Sequence, residues 1–116
     1  MGAQERTQRE KAILESAIKL FNEKGYHATK MDEVAKGAKI SKGLTYFYFK
    51  NKEDLYMAVT RKAFEGLKDV FRDVFRTKNK NGLQMLVELV QKYLDYSQEN
   101  RMYYQAILNF MGMLSL

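Results

Sequence analysis

No proline interrupts this 116-residue chain, and its apolar residues recur at every third and fourth position over most of its length. Average usage would place about six prolines in a chain of this size. Proline removes a backbone donor and breaks helices. Its absence, combined with a three-and-four period, points to long amphipathic helices and an all-α fold.

Ile13, Ala17, Leu20 and Phe21, flanked by Leu14 and Ile18, form the first apolar stripe. Thr7 and Glu10 stand at capping-box spacing ahead of it, and Lys24 with Gly25 suits its end. These signals place a helix over about 8–24. Thr29 then reads as the cap of a short second helix, with Asp32 as its box partner and Met31, Val34 and Ala35 as its apolar face. Residues 37–40 read as a turn. Ser41 caps a third helix that ends near Phe49, with Thr45 and Phe49 inward and Lys42, Gly43, Leu44 and Tyr46 outward. So short a helix needs neighbours to hold it.

Asn51 caps a long fourth helix reaching about residue 76, with Leu55, Val59, Ala63, Leu67, Phe71 and Phe75 on one face. The polar break TKNKNG at 77–82 precedes a fifth helix over about 82–97. A second break at 98–101 precedes a sixth over about 102–114.

Charge separates the two halves. Residues 1–52 hold eleven Lys/Arg against six Asp/Glu, whereas residues 53–116 hold nine against eight. Residues 36–52 carry five lysines and no carboxylate. Such a field suits a polyanion, nucleic acid before membrane surface. The alternative is a basic helical module docking on an acidic protein or membrane.

Other chemistries find little support. There is no cysteine, hence no disulfide, thiolate nucleophile or Cys-ligated zinc. His27 lies near Asp32 and Glu33, but a second His or Cys to complete a metal site is missing. Ser41 is better explained as a helix cap than as a nucleophile paired with His27, and Ser16 fares no better. No metal, cofactor or enzymatic constellation is expected. The first residues, MGAQERTQRE, lack the apolar core of a secretory signal, and the apolar stretch 106–116 is too short to span a bilayer. A cytoplasmic protein without a membrane partner is the expectation.

Two short helices joined by a tight turn match a helix-turn-helix, whose second helix enters the major groove. Backbone N–H groups at Ser41, Lys42 and Gly43 attract phosphate, and the bare Gly43 allows close approach. Lys30, Lys39, Lys50 and Lys52 flank the turn where phosphates would lie. Phe47 and Phe49 read as core, Tyr26 as structural, and Lys19, Lys24 and Lys36 as solvated surface.

The pattern Gly25-Tyr26, Thr29, Val34-Ala35, Ala38, Ile40-Ser41-Lys42-Gly43, Tyr46, Phe49 and Lys52-Glu53-Asp54-Leu55 resembles the DNA-binding head of the tetracycline-repressor (TetR) family over residues 10–56. The resemblance implies a three-helix helix-turn-helix head over residues 1–50. A helical regulatory domain over 51–116 would follow, opening with a long connecting helix. It also implies roles. Lys42, Gly43 and Leu44 stand where the family contacts base edges, and Tyr46 and Tyr48 where it contacts phosphate. Thr29 and Lys30 stand where the second helix touches the DNA backbone, and Lys52 where a family lysine grips a phosphate. The implied partners are double-stranded DNA with a palindromic operator, a small hydrophobic effector and a second copy of the full-length chain. The implied activity is ligand-responsive repression.

Two positions depart from the family. Lys39 stands where glycine is usual in the turn, so either it takes a left-handed conformation at a cost of about 1 kcal/mol or the turn differs. Thr45 replaces a large aliphatic residue, which leaves Leu44 to offer an apolar contact such as one to a thymine methyl.

Met and aromatic residues recur in the second half. Phe64, Phe71, Met85, Tyr93, Tyr96, Met102, Tyr103 and Phe110 are candidates for a hydrophobic ligand pocket, and the same spacing equally describes core. Family chains are longer. The uncapped apolar run Met113, Leu114, Ser115 and Leu116 reads as a chain that continues.

Overall fold

The computed structural model describes residues 2–76 and 78–114. Thr77, the first residue of the expected break, and the terminal Ser115 and Leu116 lie outside the described residues. Among the described residues the chain is all-α: α1 (Gly2–Lys24), α2 (Met31–Ala38), α3 (Lys42–Tyr48), α4 (Lys52–Arg76), α5 (Gly82–Glu99) and α6 (Arg101–Leu114). It falls into two compact units, Met1–Thr60 and Arg61–Leu116.

In the first unit α1 packs on α2 and α2 on α3. Its core is drawn from all four helices. Ile13, Ala17, Ile18 and Phe21 of α1 are buried, as are Met31, Val34 and Ala35 of α2. Thr45 and Phe49 join them from α3 and its end, and Leu55 and Val59 from the first turns of α4. Phe21, Tyr26 and Tyr56 form a ring cluster with centroids 5.0–6.0 Å apart.

Two expected caps are not formed. α1 begins at Gly2, before Thr7, whose Oγ1 donates to the Ala3 carbonyl at 2.9 Å from inside the helix. The residues ahead of Thr7 are mostly good helix formers, so nothing starts the helix there. Thr29 is buried, and its Oγ1 donates to the Gly25 carbonyl at 2.7 Å. Gly25 ends α1 at φ +85°, as its position suggests, and the freed carbonyl takes the threonine hydroxyl. The cap position of α2 is Lys30, which supplies no side-chain cap bond among the described residues.

The expected cap at Asn51 is formed. Asn51 Oδ1 accepts from the Asp54 N–H at 2.7 Å. Asn81 and Gln84 form a reciprocal capping box at the start of α5. The second break narrows to one residue, Asn100, whose carbonyl accepts from Tyr104 N–H at 2.9 Å.

In the second unit α5 packs on α6. Ala63, Tyr96 and Ile107 form its buried cluster, with Leu67, Val70, Tyr103 and Tyr104 partly buried against them. Tyr96 donates to the Ala63 carbonyl at 2.9 Å. It lies so close to Gly66 that a Cβ there would stand 2.9 Å from the Tyr96 hydroxyl.

Candidate nucleic-acid interface

α3 is held by its two ends and one buried side. Ser41 Oγ accepts from the Leu44 N–H at 3.2 Å. The Thr45 N–H and Oγ1 both donate to the Ser41 carbonyl, at 3.0 and 2.9 Å. Thr45 and Phe49 point into the core. The opposite side is left outward, with Lys42, Gly43, Tyr46 and Phe47 exposed and Leu44 and Tyr48 half-buried. Helical spacing puts residues 43, 46 and 47 on one face. A Cβ built on Gly43 meets nothing within 4 Å, so that surface is open.

The turn before α3 is closed by Lys39 at φ 58°, ψ 40°, the left-handed conformation. Its N–H donates to the Lys36 carbonyl and that of Ile40 to Ala35, both at 3.1 Å. The first alternative for Lys39 is the one realised.

Phe47 corrects its reading as core. It is 71% exposed. Its ring stands edge-on to Tyr48 at 5.5 Å, with the Arg6 guanidinium 6.0 Å from its centroid. The available signal was its four-residue step from Gly43. Arg6 gave no signal, because only folding brings the start of α1 to α3.

The remaining candidates differ in availability. The Lys42 ammonium pairs with Asp32 at 3.0 Å, and this hydrogen bond holds it above the usual lysine range. Both side chains are exposed, so the pair is open to exchange with phosphate. Lys30 is exposed. Beside it Glu33 is held below the usual carboxylate range by its hydrogen bond from Lys24. Thr29 has its hydroxyl turned inward, so its side chain is not presented to a DNA backbone. Lys52 is half-buried, and its ammonium donates to the Tyr26 carbonyl at 2.7 Å and the His27 carbonyl at 3.2 Å.

The pocket candidates make several different contacts within the second unit. Tyr96 and Tyr103 belong to the cluster around Ala63, and the buried Tyr103 hydroxyl has no hydrogen-bond partner among the described residues. Phe64 meets Phe110 edge-on at 5.7 Å, and Tyr93 donates to the Tyr104 hydroxyl at 3.0 Å. Met85 lines a separate cleft of about 260 Å³ with Phe75, Gly82, Leu86 and Leu89. Met102 is exposed and Phe71 half-buried.

Among the described residues no group of three or more His, Cys, Asp or Glu is placed to hold a metal ion. Likewise, no described helix is long and apolar enough to cross a membrane.

The family model for bacterial regulatory proteins of the tetR family matches residues 13–59, the span that contains α2, α3 and their packing partners on α1 and α4. The chain belongs to the TetR family. The transcriptional activator FasR of Mycolicibacterium smegmatis is 33% identical over 102 residues, covering 88% of this chain and 46% of its own. The negative transcriptional regulator IcaR of the biofilm operon in Staphylococcus epidermidis is 39% identical over 61 residues, 53% of this chain and 31% of its own. A solved structure described as a Clostridium perfringens putative fatty acid metabolism regulator is 29% identical. It superposes with a TM-score of 0.78, covering 84% of this chain and 52% of that one. The chain thus spans a third to a half of the length of the curated relatives it matches first. Such TetR-family relatives are DNA-binding transcriptional regulators.

Proposed function

We propose that this chain supplies the operator-reading head of a cytoplasmic, ligand-responsive transcriptional repressor that binds a palindromic site as a homodimer. The observation that carries the reading is the outward face of α3. Lys42, Gly43, Tyr46 and Phe47 are exposed on a helix whose other side is anchored by Thr45 and Phe49. A face with a lysine, a tyrosine and a bare glycine fits a groove lined by phosphates. Lys42, Gly43 and Leu44 take base edges, Tyr46, Tyr48 and Lys30 take phosphate, and Phe47 adds an apolar contact. Two heads on one face of a duplex must stand about 34–36 Å apart to enter successive major grooves.

The regulatory part is residues 51–116 together with whatever further chain completes the protein. A small hydrophobic effector suits the aromatic and Met side chains of the second unit. Relatives named as an activator and as a negative regulator both occur. Repression is therefore tested directly, with a reporter placed behind the operator.

The deciding experiment selects bound duplexes from a random pool with the full-length protein. A palindromic consensus is expected. Lys42→Ala should then weaken binding and relax base preference, whereas Tyr46→Ala should weaken binding on all sequences alike. Selection that enriches no sequence, with both variants binding like the parent, overturns the reading.

A further inference from the structure

α1 begins at Gly2, more than a turn ahead of the start that spacing predicts, and this early start fixes where Arg6 lies. A side chain inside a helix projects in a set direction and leans toward the helix start. The Arg6 guanidinium thereby stands 6.0 Å from the centroid of the Phe47 ring, on the open side of α3. Arg6 is exposed and forms no ion pair among the described residues, whereas Arg9 on the same helix pairs with Glu5 at 4.0 Å. Lys42, the one cation of α3, pairs with Asp32 at 3.0 Å and must exchange that partner to meet DNA. Arg6 has only water to exchange. An aromatic neighbour engages the flat face of a guanidinium and leaves the N–H groups in its plane free, in a fork that matches two phosphate oxygens.

We propose that Arg6 is a DNA-contacting residue of the head, whose guanidinium takes a backbone phosphate beside the groove that α3 enters, held there by the Phe47 ring. The proposal rests on the DNA-binding reading above and adds to it a charge from α1. The family match begins at residue 13, so Arg6 lies outside what membership of the family assigns. A phosphate contact positions the head without choosing among bases, so Arg6 adds affinity alike on every sequence.

The test uses the full-length protein on a selected duplex and on a scrambled one. Arg6→Gln lowers affinity on both by on the order of tenfold at low salt. It also makes the slope of log affinity against log salt about 0.9 less steep for each head bound. Arg6→Lys keeps the charge but not the fork, so its slope equals the parent's while its affinity falls by less than in Arg6→Gln. Lys19→Gln removes an exposed charge about 20 Å further along α1 and keeps the parental slope. The melting temperature of Arg6→Gln stays within about 2 °C of the parent, because the side chain is exposed. Phe47→Leu gives the guanidinium no ring, and on that background Arg6→Gln costs less affinity than in the parent.

A parental slope in Arg6→Gln, a flattened slope in Arg6→Lys or Lys19→Gln, or a loss confined to the selected duplex each overturns the inference. So does a melting temperature lowered beyond that range, or an equal cost of losing Arg6 with and without the ring. All of these leave the DNA-binding reading in place. If the parent binds neither duplex, that reading fails and the inference falls with it.

Discussion

The two units of this chain bury their apolar residues very differently. In the first, the stripes of α1, α2 and the start of α4 close on one another, and Ile13, Ile18, Val34, Leu55 and Val59 are almost wholly out of water. In the second, α5 carries Leu83, Leu86, Val87, Val90 and Leu94 at three-and-four spacing, all exposed, and α6 adds Leu108 and Met111. Periodicity is equally clear in both. An apolar stripe records that a helix has a face to bury, and the partner that buries it must be sought elsewhere. For the head, every partner lies within 59 residues.

Core truncation gives the largest expected contrast. Ile18→Ala should cost about 2–5 kcal/mol, because it empties a closed core. Leu83→Ala, at a side chain 71% exposed, should stay within about 0.5 kcal/mol. Urea melts of both variants measure the difference, and equal losses would break the comparison.

Gly43→Ala separates binding from folding inside the head. Its new methyl meets no protein atom, and alanine is the better helix former, so stability should hold or rise by up to about 1 kcal/mol. Affinity for a selected operator should fall about tenfold, some 1.4 kcal/mol, if the helix backbone lies against DNA. Calorimetry and a binding titration on the same sample supply both numbers.

Lys39→Gly should stabilise the head by about 0.5–1 kcal/mol, by relieving a left-handed lysine. A loss of stability in thermal melts would mean that the lysine side chain does more than occupy the turn.

The smallest effect is alkaline. Burial, followed by the neighbouring Tyr103, holds the Tyr96 hydroxyl above the ordinary tyrosine range. The folded chain therefore keeps a proton that the unfolded chain releases above pH about 10. Stability should be fully present below that pH and decline as pH rises through the raised folded value. Melts between pH 9 and 11 should show a shallower decline in Tyr96→Phe than in the parent.

Much of the head was legible because its signals are local. Caps at Ser41 and Asn51, the left-handed turn at Gly25 and the inward pair Thr45 and Phe49 each depend on residues within a turn of one another. The misreadings are those in which a local signal had a competitor. Thr29 has the residue type of a cap, but the Gly25 carbonyl needed its hydroxyl more. Phe47 has the residue type of a core position but sits on the open side of α3. The pocket candidates take partners that composition alone does not name. Tyr96 went to the Ala63 carbonyl, Met85 to the cleft beside Phe75, and Phe64 to Phe110.

By itself, then, the amino-acid order determined the helices, most of their ends and the inward side of α3, since each follows from spacing and residue type along the chain. Tertiary structure alone decided what the polar groups are spent on. Lys52 and the carbonyls of Tyr26 and His27 are 25 or 26 positions apart, and no period or motif links them. They meet because α1 and α4 share a core, and once there the ammonium satisfies two carbonyls just past the end of α1.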